Sequence, residues 1–245
     1  VVYKTSSDKV FLRKGAQDLC LNEEQVKVLE YSKGARKRED EVLNIDKEIV
    51  LESNYLKEYC KRVPIVQSPD IFLKKETLIY QDKPRVASVV ALSDCPQSCM
   101  KCGVKIYRLQ FNKIESRSDY KRAFLDEKNV FTIEGSAEVL VLESVKKVKE
   151  IMENMKFKQY GKEDSKLKYP PEAIHEVVAN AILHRDYSIE DDVHIRIFDN
   201  QIEVSSPGGF PGNVNPKNIK TSRYSRNPRI VRILHKLPNK VKLLI

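Results

Sequence analysis

The stretch that most constrains this chain is YPPEAIHEVVANAILHRDY, residues 169–187. Two prolines open it where a helix start tolerates a missing N–H. Ile174, Val177, Val178, Ala181 and Ile182 then recur at helical spacing. This predicts an amphipathic helix of about three turns, with its apolar stripe turned inward. At 100° per residue, Glu176, Asn180 and His184 stack at i, i+4 and i+8 along another flank. A carboxylate, a carboxamide and an imidazole therefore share one edge. On an arbitrary helix that edge is a solvated flank, so its meaning depends on the residues C-terminal to it.

Those residues begin with VHIRIFDNQIEV, in which Val193, Ile195 and Ile197 alternate inward. The chain turns at Asp199 and Asn200 and resumes with Ile202 and Val204, the pattern of a hairpin. The loop SSPGGFPG comes next and holds Gly208, Gly209 and Gly212, three of the chain's eight glycines. Glycines gathered after a strand allow positive φ or the close approach of backbone to a ligand, although a surface turn uses them too.

YPPEAIHEVVANAILHRDYS at 169–188, IEVSSPGGFPG at 202–212 and SRNPRI at 225–230 together carry a family resemblance. The segment resembles the C-terminal half of bacterial and archaeal regulators that join an AlbA-like Schlafen DNA-binding domain to a degenerate GHKL-type ATP-binding domain, often labelled RecG-like. The resemblance implies an ATP and Mg²⁺ site. In it Glu176 orients or activates the attacking water, Asn180 coordinates Mg²⁺ on the triphosphate, and His184 and Arg185 meet phosphate oxygens. The loop with Ser206, Gly208, Gly209 and Gly212 lies along the nucleotide. The chemistry has a plain basis, since hard cations take oxygen ligands and phosphoryl transfer is catalysed mainly by positioning and charge neutralisation. Ser206 stands where the wider ATPase class has an adenine-reading aspartate, and the second glycine box is missing. Both departures imply weak Mg²⁺-dependent turnover, or a vestigial pocket kept for binding alone. Upstream, Phe11, Arg13 and Gly15 resemble the closing strand of an AlbA-like domain, where Arg13 and Lys14 would touch DNA phosphate. The resemblance also implies a chain shortened at both ends.

Charge bears on partners. Residues 1–214 carry 35 basic and 35 acidic side chains, whereas residues 215–245 carry nine basic and no acidic ones. The whole net charge of +9 therefore lies in the last 31 residues. Asn227–Pro228 predicts a helix start, with Arg229, Arg232 and Lys236 sharing the face opposite Ile230, Val231, Ile233, Leu234 and Leu237. Such a row attracts polyphosphate, either a DNA backbone or nucleotide phosphates, and a solvated basic face is the plain alternative.

The expected fold is α+β: a mixed or antiparallel sheet covered by helices in two layers, preceded by a remnant of an AlbA-like domain. Residues 1–40 form that remnant as a hairpin and a short helix begun by Asn22. Residues 41–84 are a helical linker region, and 85–245 are the ATP-binding domain. KGARKREDE at 33–41, charged and without apolar periodicity, reads as a linker. RVASVVALS at 85–93 reads as a buried strand, 103–111 and 129–135 as further strands, and Val141 to Met155 as a helix. CPQSCMKC places Cys95, Cys99 and Cys102 at C-x3-C-x2-C spacing, open to three readings: incidental thiols, a zinc site, or a radical-SAM-type iron–sulfur cluster. No run of 18 apolar residues and no secretory leader are visible, so a cytoplasmic protein with no membrane span is expected, and oligomerisation is left open.

Overall fold

The computed structural model describes residues 4–6, 8–64, 68–109, 129–154, 169–198, 201–210, 214, 217–218 and 224–238. It is an α+β structure built on a mixed sheet.

The chain opens with the antiparallel pair β1 (Val10–Lys14) and β2 (Gln17–Leu21), joined through Gly15 at φ +65°. Helix α1 (Glu23–Ser32) starts on a capping box. Asn22 Oδ1 accepts from Gln25 N at 2.8 Å, and Gln25 Oε1 accepts from Asn22 N at 3.0 Å. After a 3₁₀ turn at Arg38–Asp40 come α2 (Glu48–Leu51), α3 (Asn54–Arg62), α4 (Pro69–Lys75), the small pair β3 (Ile79–Tyr80) and β4 (Lys83–Pro84), and α5 (Val86–Leu92).

The main sheet combines β5 (Val104–Arg108), β6 (Val130–Ile133), β7 (Val193–Ile197) and β8 (Ile202–Ser205) in the order β6-β5-β7-β8. The outer pairs are antiparallel and the central β5–β7 pair is parallel. That parallel pair requires a crossover, which contains α6 (Ala137–Glu153) and α7 (Pro171–Leu183). Both helices lay apolar stripes on the sheet. Val104, Ile106, Val193, Ile195 and Ile197 on the strands, and Val141, Val148, Ile174, Val178 and Ile182 on the helices, belong to one buried core. Helix α8 (Pro228–His235) closes the described chain.

Two expectations are corrected here. Val86–Leu92 is helical and not a strand. Every one of its side chains is buried, with Ala87, Ser88 and Ala91 small enough to let neighbouring helices approach. A run with no polar face has no period to read, so burial on all sides hid the helix. The charged stretch 33–41 is not a linker either. Glu39 within it is fully buried, and Gly34, at φ +68°, lies so close under the Tyr224 hydroxyl that no side chain fits there.

Gln97 explains a further sequence feature. Its carboxamide pairs with the Gly135 backbone, accepting from Gly135 N at 2.9 Å and donating to Gly135 O at 3.1 Å. The loop after α5 is thereby pinned to the turn that starts α6. The Asp199–Asn200 turn, Gly212 and the 156–168 segment lie outside the described residues.

Candidate functional site

Helix α7 brings Glu176 and Asn180 onto one half-buried flank, and among the described residues neither side chain has a hydrogen-bond partner. Two free oxygen-bearing groups one turn apart suit a hard cation held mainly by a ligand's own phosphates. The adjoining face of α7 is different. Ala173, Ile174, Val177 and Val178 line an apolar cavity of about 340 Å³ with Tyr169, Val148, Ile195, Ile202 and Val204. Glu176 and Asn180 are not part of its wall.

At the C-terminal end of α7 three segments meet. Ser206 Oγ donates to Ala181 O at 2.7 Å, and Asn227 Nδ2 donates to Leu183 O and Arg185 O at 2.8 and 2.9 Å. These bonds satisfy carbonyls that the helix end leaves open. Asp186 N donates to Pro207 O at 2.8 Å. Arg226 then ties the corner together. Its Nη1 pairs with Asp186 Oδ2, and its Nη2 donates to Gly209 O at 2.7 Å, with both side chains of the ion pair more than nine-tenths buried. Gly208 threads this knot at φ +105°. The neighbouring Gly209 has nothing within 4 Å of where a side chain would begin, so its backbone faces open space.

His184 sits below this corner with Nδ1 buried and unpartnered, and burial together with the Arg226 charge holds its pKa below the ordinary histidine value. Arg185 departs from expectation. It is 1% exposed, donates through Nη2 to the carbonyls of Lys101 and Ile189 at 3.2 and 3.1 Å and of Asp191 at 2.5 Å, and lies over the Tyr187 ring. It therefore organises the loop 186–191 from inside through Nη2, with Nε and Nη1 buried and unpartnered. Asp186, Arg226 and Asn227 were missed as the residues that build the corner. The sequence signals available for them were the polar run after α7 and the SRNP tetrapeptide.

Arg229, Arg232 and Lys236 do share one face of α8, but they do not form a bare cationic row. Arg229 Nε pairs with Asp40, while Arg232 and Lys236 both pair with Glu76, the former at 3.1 Å. Arg13 and Lys14 are exposed on β1, and Arg13 Nε bonds back to Gly15 O at 3.3 Å.

The three cysteines of the C-x3-C-x2-C run differ in their surroundings. Cys95 is exposed, Cys99 half-buried and Cys102 buried, and all are free thiols. Burial pushes the Cys102 thiol up to about 12. Among the described residues no three His, Cys, Asp or Glu side chains are grouped to hold a metal ion. No described helix is long and apolar enough to cross a membrane.

The start of α8 holds a buried acid. Glu39 accepts from Arg229 N at 3.0 Å through both oxygens and from Ile230 N at 3.1 Å. Desolvation nonetheless pushes its pKa up to about 7. A carboxyl whose folded pKa lies above its unfolded value gives its full stability below the unfolded pKa and loses it as pH rises toward the folded one. Thermal stability is therefore expected to fall by a few degrees between about pH 4.5 and 7 relative to a Glu39→Gln protein. Taking this difference also removes the opposite contribution of His184, which is common to both proteins. Parallel melting curves across that window would exclude the raised pKa of Glu39.

Residues 190–241 match the family model HATPase_c_4, described as "Putative ATP-dependent DNA helicase recG C-terminal". The match covers β7, β8, the glycine loop and α8, and leaves out α7 with Glu176 and Asn180. No curated protein matches the chain. Among solved structures it is similar to the DIP2311 protein of Corynebacterium diphtheriae, a crystal structure from the Northeast Structural Genomics Consortium, at 14% identity and a TM-score of 0.57. The alignment covers 99% of this chain and 46% of that one, so the chain spans about half the length of that protein. At this identity the likeness shows the fold alone, an α+β arrangement shared over nearly the whole chain, and within it residues 190–241 are similar to an ATPase-type domain.

Proposed function

We propose that the chain is a Mg²⁺-nucleotide-binding module with a degenerate ATPase-type site. The observation that carries this reading is the match of 190–241 to an ATPase-type domain, on the strand–loop–helix unit that packs against the end of α7. Asn180 supplies an oxygen ligand toward Mg²⁺, and Glu176, one turn earlier, faces the position from which water would approach. The open Gly209 backbone lets a nucleotide come close. When bound, Mg²⁺ would neutralise charge on the phosphates, and the part played by this chain is to place the carboxamide and carboxylate on one rigid helix.

Turnover is expected to be slow or absent. Ser206 is spent on the α7 carbonyl, Arg185 on the loop carbonyls and Arg226 on Asp186, so these side chains are committed to the fold and not to a triphosphate. This favours a regulatory, binding-only use of the pocket. In the finer form of the reading, the module is the nucleotide-responsive part of a DNA-binding transcriptional regulator whose AlbA-like portion ends at residue 40. That form rests on the resemblance around Phe11, Arg13 and Gly15.

Calorimetric titration with Mg-ATP tests the assignment. Asn180→Ala is expected to weaken binding about tenfold while leaving the melting temperature within a degree or two. Glu176→Ala is expected to hold affinity within about twofold and abolish whatever turnover exists. Saturable binding that is indifferent to Asn180, or no binding by the unmodified protein, would remove the nucleotide assignment.

A further inference from the structure

Within the acid-free C-terminal segment, Arg229, Arg232 and Lys236 take carboxylate partners from far away in sequence, and the way this is done points to a surface. Glu41 holds two cations, Arg36 at 2.7 Å and Arg38. Glu76 likewise holds two, Arg232 at 3.1 Å and Lys236. Between them Arg229 pairs with Asp40 and also donates to Thr77 Oγ1, which joins the two groups into one band across the 3₁₀ turn and α8. Glu41 and Glu76 are each shared by two cations, while Arg229 has Asp40 to itself and Arg36 also lies 3.8 Å from Glu30, which leaves five cations against four carboxylates and a small excess of positive charge. Arg36 and Arg232 remain 42% and 53% exposed, so the cations can be reached from solvent.

We infer that the band formed by Arg36, Arg38, Arg229, Arg232 and Lys236 is a docking surface for a nucleic-acid backbone, attenuated by the chain's own Asp40, Glu41 and Glu76. Arg36, Arg38, Arg232 and Lys236 keep about a third or more of their side chains exposed, which limits what the pairs add to stability through their mostly buried carboxylate partners Glu41 and Glu76. The carboxylates occupy the positions that backbone phosphates would take. From Arg229 to Lys236 the helix advances about 10 Å, longer than a single small anion and suited to a polymer that carries a charge about every 1.7 Å. Phosphates arriving at the band exchange one set of oxygen acceptors for another and release counterions from the polymer. Glu39 takes no part in the exchange, since it is fully buried on the α8 backbone.

Fluorescence anisotropy of a short labelled DNA duplex, measured over a range of salt concentrations, tests this independently of any nucleotide. Asp40→Asn/Glu76→Gln is expected to bind about tenfold more tightly than the unmodified protein, with a salt slope steeper by about two. A charge-matched control, Glu143→Gln/Glu150→Gln, neutralises two acids on α6 that pair with Lys146 and Lys147, and is expected to stay within about twofold. Adding Arg232→Gln/Lys236→Gln to the first pair should return affinity to the starting level. Glu76→Gln alone, which keeps Asp40 on Arg229, is carried alongside in case the double variant fails to fold, and should show part of the gain. Equal affinities for the two double variants, binding by none of the proteins, or displacement of the duplex by stoichiometric inorganic triphosphate would each overturn the inference.

Discussion

Asp186→Ala is expected to destabilise the protein by about 3–5 kcal/mol, because it leaves a buried guanidinium without its counter-ion. Asp186 and Arg226 are 6% and 8% exposed, and Arg226 Nε already lacks a partner, so nothing nearby can take up the charge. The loss extends beyond the pair. Asp186 Oδ1 also accepts from Ser188 N at 2.9 Å, and Arg226 carries the only side-chain hydrogen bond to Gly209 O among the described residues. The expected result is a lower urea midpoint together with faster amide exchange in the glycine loop. Asp186→Asn, which keeps a hydrogen-bond acceptor, should cost less. Asp186→Ala/Arg226→Met should recover much of the loss, since an apolar pair needs no desolvation of charge. A single-variant cost below about 1 kcal/mol would place the pair in solvent, contrary to its burial.

Much of the architecture could be read from local pattern. The alternation in Val193–Ile197 gave a strand with one buried face, and the three-and-four spacing of Ile174, Val178 and Ile182 gave the helix that covers it. Asn22 marked the start of α1. What escaped has a common cause, which is that its explanation lies in distant partners. Val86–Leu92 looks like a strand because an element buried on all sides carries no alternation. Residues 33–41 look like a linker because the α8 amides that hold Glu39 are 190 positions away in sequence. The site obeyed the same rule. That Glu176 and Asn180 share one flank was legible because one helix places them, whereas the Asp186–Arg226–Gly209 knot joins three segments and only the folded chain brings them together. The cysteine spacing left three readings open because spacing says nothing of direction: Cys95 is exposed and Cys102 is buried.

The two described glycines of the loop should respond in opposite ways to a side chain, and Gly208→Val should have the larger effect, a loss of about 3 kcal/mol or more. Gly208 stands at φ +105°, where residues with a side chain incur about 1–3 kcal/mol of backbone strain. A Cβ there would lie 2.7 Å from Arg226 Nη1 and 2.7 Å from Asp186 Cβ. Neither neighbour can withdraw cheaply, because each is buried and holds the other. The strain therefore adds to partial rupture of the ion pair, and the variant should resemble Asp186→Ala in both unfolding and loop exchange. Gly209→Ala meets nothing within 4 Å and has no positive φ, so its cost should stay below about 1 kcal/mol. If the open Gly209 backbone is where a nucleotide approaches, that mild variant should still weaken Mg-ATP binding, since a methyl group would fill the space left for the ligand. A Gly208→Val protein as stable as the parent would show that the loop has another conformation that the Asp186–Arg226 pair tolerates, and the corner would then be adaptable and not preformed.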